Sequence, residues 1–373
     1  MDYARMVIEK ESPEEYGYGR IRFNLSESSV RDRSLSDFGL SVPDLLLPYG
    51  EHRGDPGLRA LVAADGEGLR AEDVLVTAGA AGALFIVATT LLSRDGHLVV
   101  VRPNYATNLE TPRAIGCGIT FIDLDFDKGF ALDVDAVAAA IRPDTRYVSI
   151  TCPHNPTGTM IGRPQLDALI ALVEKAGCRL LVDETYRDLT HGAPLPPAAT
   201  LSPAAISVAS LSKAYGAPGI RIGWIVTRDA DLMERFLAAK EQIGICGSVV
   251  DDWIAARILE RRKTFLAAQA PVLAARLAMV RDWVAGDELV EWVEPQGGVV
   301  CFPRFRHGPG FDFDDFYADL LESYGTYVGP GHWFEMPRNH MRIGFVYPHE
   351  DELRGGLEAI SAAIRKHSAR RSP

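Results

Sequence analysis

The chain has 373 residues, 47% of them hydrophobic, which is enough for a large domain and a smaller one around a substantial core. Its formal net charge of -11, with no basic run to offset it, argues against nucleic acid as a partner. Five cysteines (Cys117, Cys152, Cys178, Cys246, Cys301) are scattered without CxxC pairing, and the charged N-terminal stretch MDYARMVIEKESPEEYG lacks an uninterrupted apolar segment; no metal site, disulfide framework, secretory signal or membrane span is expected, and the pattern suits a reducing cytoplasm.

Along the chain, a strand-like run over 21–25 leads into SESSVRD, residues 26–32, where Ser28 and Ser29 suit a helix cap. The GxxxLR part of YGEHRGDPGLR, residues 49–59, reads as a turn entering an amphipathic helix, and VTAGAAGALF, residues 76–85, as a helix start whose small residues allow close packing. From about residue 70 to 230, the short apolar runs LVVV, YVSI, RLLV, AISVAS and GWIV alternate with helical patterns such as 165–176. That alternation predicts an α/β fold with a mostly parallel sheet covered on both faces. Residues 231–285 read as long amphipathic helices leading out of it. After Pro295, Gly297 and Gly298 the pattern changes to strand, helix over 312–323, two strands and a helix over 350–366. This is a separate α+β unit, joined by part of the N-terminal segment. The expected division is a large domain over 45–285 and a small domain of 1–44 plus 286–373, with no internal repeat or low-complexity linker. The mildly basic segment 365–371 reads as a solvated tail.

Three stretches carry chemistry. In SLSKAYGAPGIRIGW, residues 210–224, Lys213 stands among hydroxyls, glycines and Arg221. Lysine alone supplies a primary amine able to form an imine with an aldehyde, and burial with neighbouring positive charge lowers its pKa enough for that. If the aldehyde is a pyridoxal phosphate, Ser210, Ser212 and Arg221 suit its phosphate. In VDETY, residues 182–186, Asp183 falls at the end of a buried strand, where an open α/β sheet places its ligand contacts. A carboxylate there pairs with a protonated pyridine nitrogen and makes the ring a better electron sink, and Tyr186 is a donor for the ring oxygen; the same Asp-Glu pair also serves as a helix N-cap. In CPHNPTGT, residues 152–159, two prolines and a glycine fix a turn that sets the amide of Asn155.

The order NPTG, DETY, SxSKxxGxxGxRxGW and MRIGF, from about Tyr49 to Phe345, resembles the fold-type I pyridoxal-phosphate enzymes of the class I and II aminotransferase family. The resemblance implies a lysine Schiff base at Lys213, which later moves a proton between the substrate's α-carbon and the cofactor's C4′ carbon. It implies Asp183 at the pyridinium, Asn155 and Tyr186 at the ring oxygen, and Tyr105 stacked on the ring. It places phosphate on Ser210, Ser212, Arg221 and the backbone amides of Ala80 and Ala81 at a helix N-terminus, a natural anion site. Arg342 of MRIGF matches the arginine that grips the substrate's α-carboxylate, with Asn155 beside it. Tyr49 resembles the tyrosine that reaches the phosphate of a neighbouring subunit, which implies a homodimer with composite sites.

The implied activity is transamination between an α-amino acid and a 2-oxo acid. The alternative is elimination, replacement or cyclisation on an amino acid, S-adenosylmethionine or an arginine derivative among them, because the same cofactor supports all of these reactions. The family typically carries a glycine in the loop after the N-terminal strand, where this chain has Ser26 to Asp32 without one. That serine-rich loop resembles, weakly, the capreomycidine-synthase branch. GPGHWFEM, residues 329–336, is expected near the substrate, with His332 or Trp333 reading it; a glycine turn with a packed aromatic accounts for the same residues.

Overall fold

The structure, a computed structural model, describes residues 1–369. The chain opens with two single-turn helices, α1 (Val7–Lys10) and α2 (Pro13–Tyr16), then the short strand β1 (Phe23–Asn24). An extended stretch leads to α3 (Pro56–Ala63), where Asp55 accepts from the Leu58 amide at 2.7 Å and Pro56 starts the first turn. Next come β2 (Val74–Ala78), α4 (Gly79–Leu91), β3 (His97–Arg102), α5 (Thr107–Ile115), β4 (Gly118–Asp123), α6 (Val134–Ala140) and β5 (Thr145–Thr151). They are followed by α7 (Arg163–Ala176), β6 (Arg179–Asp183), β7 (Ala205–Ser210) and β8 (Ile222–Val226).

These strands form one seven-stranded sheet in the order β2-β8-β7-β6-β5-β3-β4. All neighbours are parallel except β8, which runs antiparallel to both β2 and β7. The apolar runs serve two layers at once: Val99 and Val101 of β3 pack into one core cluster, Leu98 and Val100 into another on the opposite face. β4 adds an edge strand to the apolar runs named from the sequence, and its first four residues are only partly buried.

The helices α8 (Ala230–Gly244), α9 (Val249–Glu260) and α10 (Arg262–Gly286) follow as the periodicity predicts. Beyond them lie β9 (Val290–Glu291), β10 (Val300–Cys301), β11 (Arg304–Phe305), α11 (Phe313–Glu322), β12 (Thr326–Tyr327), β13 (Gly329–Pro330), β14 (Met341–Gly344) and α12 (Glu350–Ala369). β1 pairs with β12 in parallel, so the N-terminal strand joins the C-terminal elements. Strand β14 lies between β10 and β13, antiparallel to both. Helix α12 closes on β1 through two glycines: a Cβ on Gly355 would lie 2.6 Å from the Phe23 ring, and one on Gly356 2.7 Å from Leu25. The expected basic tail is corrected in part. Arg365 and Lys366 belong to α12 and pair with Asp287 at 3.0 Å and Asp319 at 2.7 Å, whereas Arg370 and Arg371 lie outside the described residues. Among the described residues no helix is long and apolar enough to cross a membrane.

Candidate active site

A cavity of about 390 Å³ opens at the edge of the large sheet where β5, β6 and β7 end and β8 begins. Strand ends of an open parallel sheet collect ligand contacts because their loops diverge and leave backbone and side chains free. The cavity is lined by Ala80, Ala81, Tyr105, Asn155, Asp183, Tyr186, Ser210, Ser212, Lys213, Arg221 and Arg342, which the sequence placed on six separate segments. Tyr49 stands apart, 83% exposed and outside the cavity wall.

One end of the cavity is built for an anion. Gly79, at φ +70°, turns the chain from β2 into α4, and a Cβ there would lie 2.5 Å from the Arg221 guanidinium. A Cβ on Gly223 would overlap the Gly79 carbonyl carbon. Two glycines thus let the N-terminus of α4 settle against β8 and Arg221, with Ala80 and Ala81 on the cavity wall. Arg221 itself has φ +47°, a left-handed backbone that a side chain rarely adopts, and donates Nη1 to the Pro218 carbonyl at 2.8 Å. Ser210 and Ser212, at the end of β7 and just beyond, complete this end.

Asp183 ends β6 and is 4% exposed. Its Oδ1 accepts from the Thr185 amide at 3.1 Å and the Thr185 hydroxyl at 2.6 Å. Burial raises its pKa, and the bonds from Thr185 and Asn108 oppose that rise, so the carboxylate gains from a cationic partner. Lys213 lines the same cavity. Burial lowers its pKa first, Glu27 opposes this, and Arg342 and Arg221 lower it further. Asn104 accepts from the Tyr105 amide at 2.8 Å and from the Thr151 hydroxyl at 3.0 Å, fixing the backbone that presents the Tyr105 ring.

At the other end, Arg342 of β14 is 5% exposed. It donates Nη1 to Asn155 Oδ1 at 3.3 Å and Nη2 to the Ser26 carbonyl at 2.7 Å, while its Nε has no partner. Tyr186 donates its hydroxyl to the Ser28 carbonyl at 2.9 Å, and burial pushes its pKa up to about 12. The loop after β1 caps no helix; Ser26, Glu27 and Ser28 line the cavity instead. Of the two residues singled out in 329–336, Trp333 borders the cavity and His332 does not. Glu11 accepts from the Trp333 indole at 2.7 Å and lies 2.8 Å from His332 Nε2, tying the α1–α2 segment to this loop.

The sequence reading missed Ile8, Glu9, Ser12, Pro13, Glu14 and Glu27, all on the cavity wall. Their spacing fits no motif: Glu27 follows β1, and the other five lie on the α1–α2 segment, which Glu11 ties to His332 and Trp333.

A parallel sheet that gathers an amine of depressed pKa, a buried carboxylate, an aromatic ring and an anion cradle defines a class, the fold-type I pyridoxal-phosphate-dependent enzymes. The residues fit that cofactor on their own chemistry, since the buried carboxylate of Asp183 and the cradle of α4, serines and Arg221 complement a pyridinium and a phosphate. The chain belongs to the aminotransferase class I and II family, whose model matches residues 46–360. It is 30% identical to capreomycidine synthase of Streptomyces vinaceus across 94% of this chain and 92% of that protein. It is 29% identical to the arginine–pyruvate transaminase AruH of Pseudomonas aeruginosa, across 85% of this chain and 81% of the relative. A PLP-dependent aminotransferase from Streptococcus suis superposes with a TM-score of 0.91 at 26% identity, covering 98% of this chain and 99% of the other.

Proposed function

We propose that this enzyme transfers the amino group of an α-amino acid to a 2-oxo acid, with the site residues in the roles that follow. The observation that carries the reading is the convergence of Lys213, Asp183 and Arg342 on one cavity beside an anion cradle. Pyridoxal phosphate, when bound, supplies the electron sink that makes the substrate's α-carbon acidic. Ser210, Ser212, Arg221 and the amides of Ala80 and Ala81 hold its phosphate, and Asp183 keeps the ring nitrogen protonated. Tyr105 covers one ring face. Asn155, whose Oδ1 is taken by Arg342, has its amide nitrogen left to donate to the ring oxygen, whereas Tyr186 has already committed its single hydrogen to Ser28 and serves that oxygen only on release. Arg342 receives the α-carboxylate through its guanidinium, whose Nε has no partner and whose 3.3 Å bond from Nη1 to Asn155 is the longer of its two. Lys213, with its amine favoured neutral by burial, anchors the aldehyde and then carries the proton at the α-carbon.

Three wider features belong to the same proposal. The division into 45–285 and 1–44 plus 286–373 is supported by the β1–β12 pairing and by the three small sheets outside the seven-stranded one. A homodimer is supported by Leu46, Leu47 and Tyr49, which are 85%, 70% and 83% exposed in an extended stretch. Tyr49 then reaches the phosphate of a second copy. Five free cysteines support a cytoplasmic setting.

The second reading is elimination, replacement or cyclisation. It is favoured by the glycine-free loop that puts the Glu27 carboxylate on the cavity wall with Lys213, and by the similarity to a synthase over nearly the whole chain. A two-step test separates them. Holoenzyme is mixed with an amino acid, and 2-oxo acid is added afterwards. Appearance of the new amino acid with return of the starting absorbance supports transamination; ammonia or a ring-closed product without transfer overturns it.

A further inference from the structure

We infer that the substrate's side chain ends in a hydrogen-bonding cation, an ammonium or guanidinium, received by Glu27 inside the cavity and by Glu9 and Glu14 at its mouth. This rests on the reading of the site as one that binds an amino acid through Arg342. The cavity wall carries three basic side chains, Lys213, Arg221 and Arg342, each with a task at the cofactor or the α-carboxylate. None is left for an anionic side chain. The wall also carries three carboxylates beyond Asp183, namely Glu9, Glu14 and Glu27. Among the described residues none of these three takes part in an ion pair, in a chain whose other acidic groups pair widely.

Glu27 is the innermost. It follows β1, it feels the charges of Lys213 and Arg342, and its Oε1 accepts from the Tyr18 hydroxyl at 3.2 Å. Burial pushes its carboxyl above the ordinary value, with Lys213 opposing that rise. A lysine tied to the cofactor no longer offers an ammonium to offset it, and Arg342, the other cation it feels, is taken by the α-carboxylate in the loaded enzyme. An apolar side chain pressed against it would leave a desolvated charge without a partner, which is unfavourable. Glu9 and Glu14 sit on the α1–α2 segment that Glu11 ties to Trp333 and are exposed at the opening, where they attract a cation rather than bury it. The second, independent mark of a ligand is Arg342: it is 5% exposed, lines the cavity, and its Nε has no partner. A carboxylate held by Arg342 and a cation held by Glu27 describe a dipolar amino acid with one further positive charge.

The test titrates holoenzyme with L-lysine, L-arginine, L-norleucine, L-glutamate and S-adenosylmethionine, following the absorbance of the bound cofactor, which reports binding whatever bond then breaks. L-Norleucine has nearly the length of L-lysine without the charge. We expect L-lysine or L-arginine to bind about 10- to 100-fold more tightly than L-norleucine, with the ratio shrinking at high salt. Glu27→Gln should collapse that ratio about tenfold or more, and Glu14→Gln, at an exposed position that does not threaten folding, about two- to threefold. Equal binding of L-norleucine or L-glutamate overturns the inference, as does tighter binding of S-adenosylmethionine, whose sulfonium has no N–H to donate. An unchanged ratio in both variants overturns it as well. If no amino acid alters the absorbance, the amino-acid reading itself falls and takes this inference with it.

Discussion

The two ends of the cavity are built differently. The cofactor end is made from strand termini of one rigid sheet: Asp183 closes β6, Ser210 closes β7, and α4 starts where β2 stops, pressed into place by Gly79 and Gly223. The substrate end is assembled from pieces far apart in the chain, with Arg342 of β14 bonding the Ser26 carbonyl and Asn155. Glu9 and Glu14 are brought there by two single-turn helices. On the proposed function, the first end holds what every reaction of this class needs and the second holds what chooses among substrates. A rigid frame for shared chemistry and a composite wall for selection let one alter without disturbing the other.

If the two ends are separable, variants should sort into two kinetic classes. The largest effect falls on the shared end: Lys213→Ala should lower kcat by about 10⁴-fold or more and remove the covalent cofactor adduct trapped by borohydride. Trapping at another lysine would break the comparison at its root. Asp183→Asn should leave the fold intact and lower kcat by about 10²- to 10³-fold, read in steady-state kinetics on cofactor-saturated enzyme; full activity would mean that this carboxylate is not the ring's counter-ion. At the other end, Arg342→Ala should raise KM for the amino acid by about 10²-fold while the cofactor absorbance stays. Loss of cofactor instead would show that the ends are not independent. The smallest effect is expected from Glu11→Gln, which weakens the tie of the α1–α2 segment to His332 and Trp333 and should raise KM about two- to threefold with kcat unchanged. A fall in kcat there would assign the segment to the chemistry rather than to substrate retention.

Legibility in the sequence follows the same divide. Asp183, Ser210, Lys213 and Arg221 lie on or beside strands whose apolar runs are obvious because both faces are buried, and the turns after them are spelled by glycine and proline. β4, at the sheet edge, is only partly buried although Ile119, Phe121 and Ile122 are apolar. Glu27 was hidden within a serine-rich loop that looks like a helix cap. Its place on the cavity wall depends on contact across the fold, where a Cβ on Gly344 of β14 would overlap the Glu27 carbonyl.

The sequence by itself determined the alternating α/β frame, the lysine with its hydroxyls and arginine, and the order of motifs that marks the family, because strand burial and turn chemistry are written within a few consecutive residues. Tertiary structure alone decided which nitrogen of Arg342 stays unpartnered, which carboxylates line the cavity and that Tyr49 lies outside its wall. Those outcomes depend on side chains more than a hundred positions apart, such as the 187 between Asn155 and Arg342. No local pattern encodes such a meeting; only the packing of β1, β12, β14 and α12 brings it about.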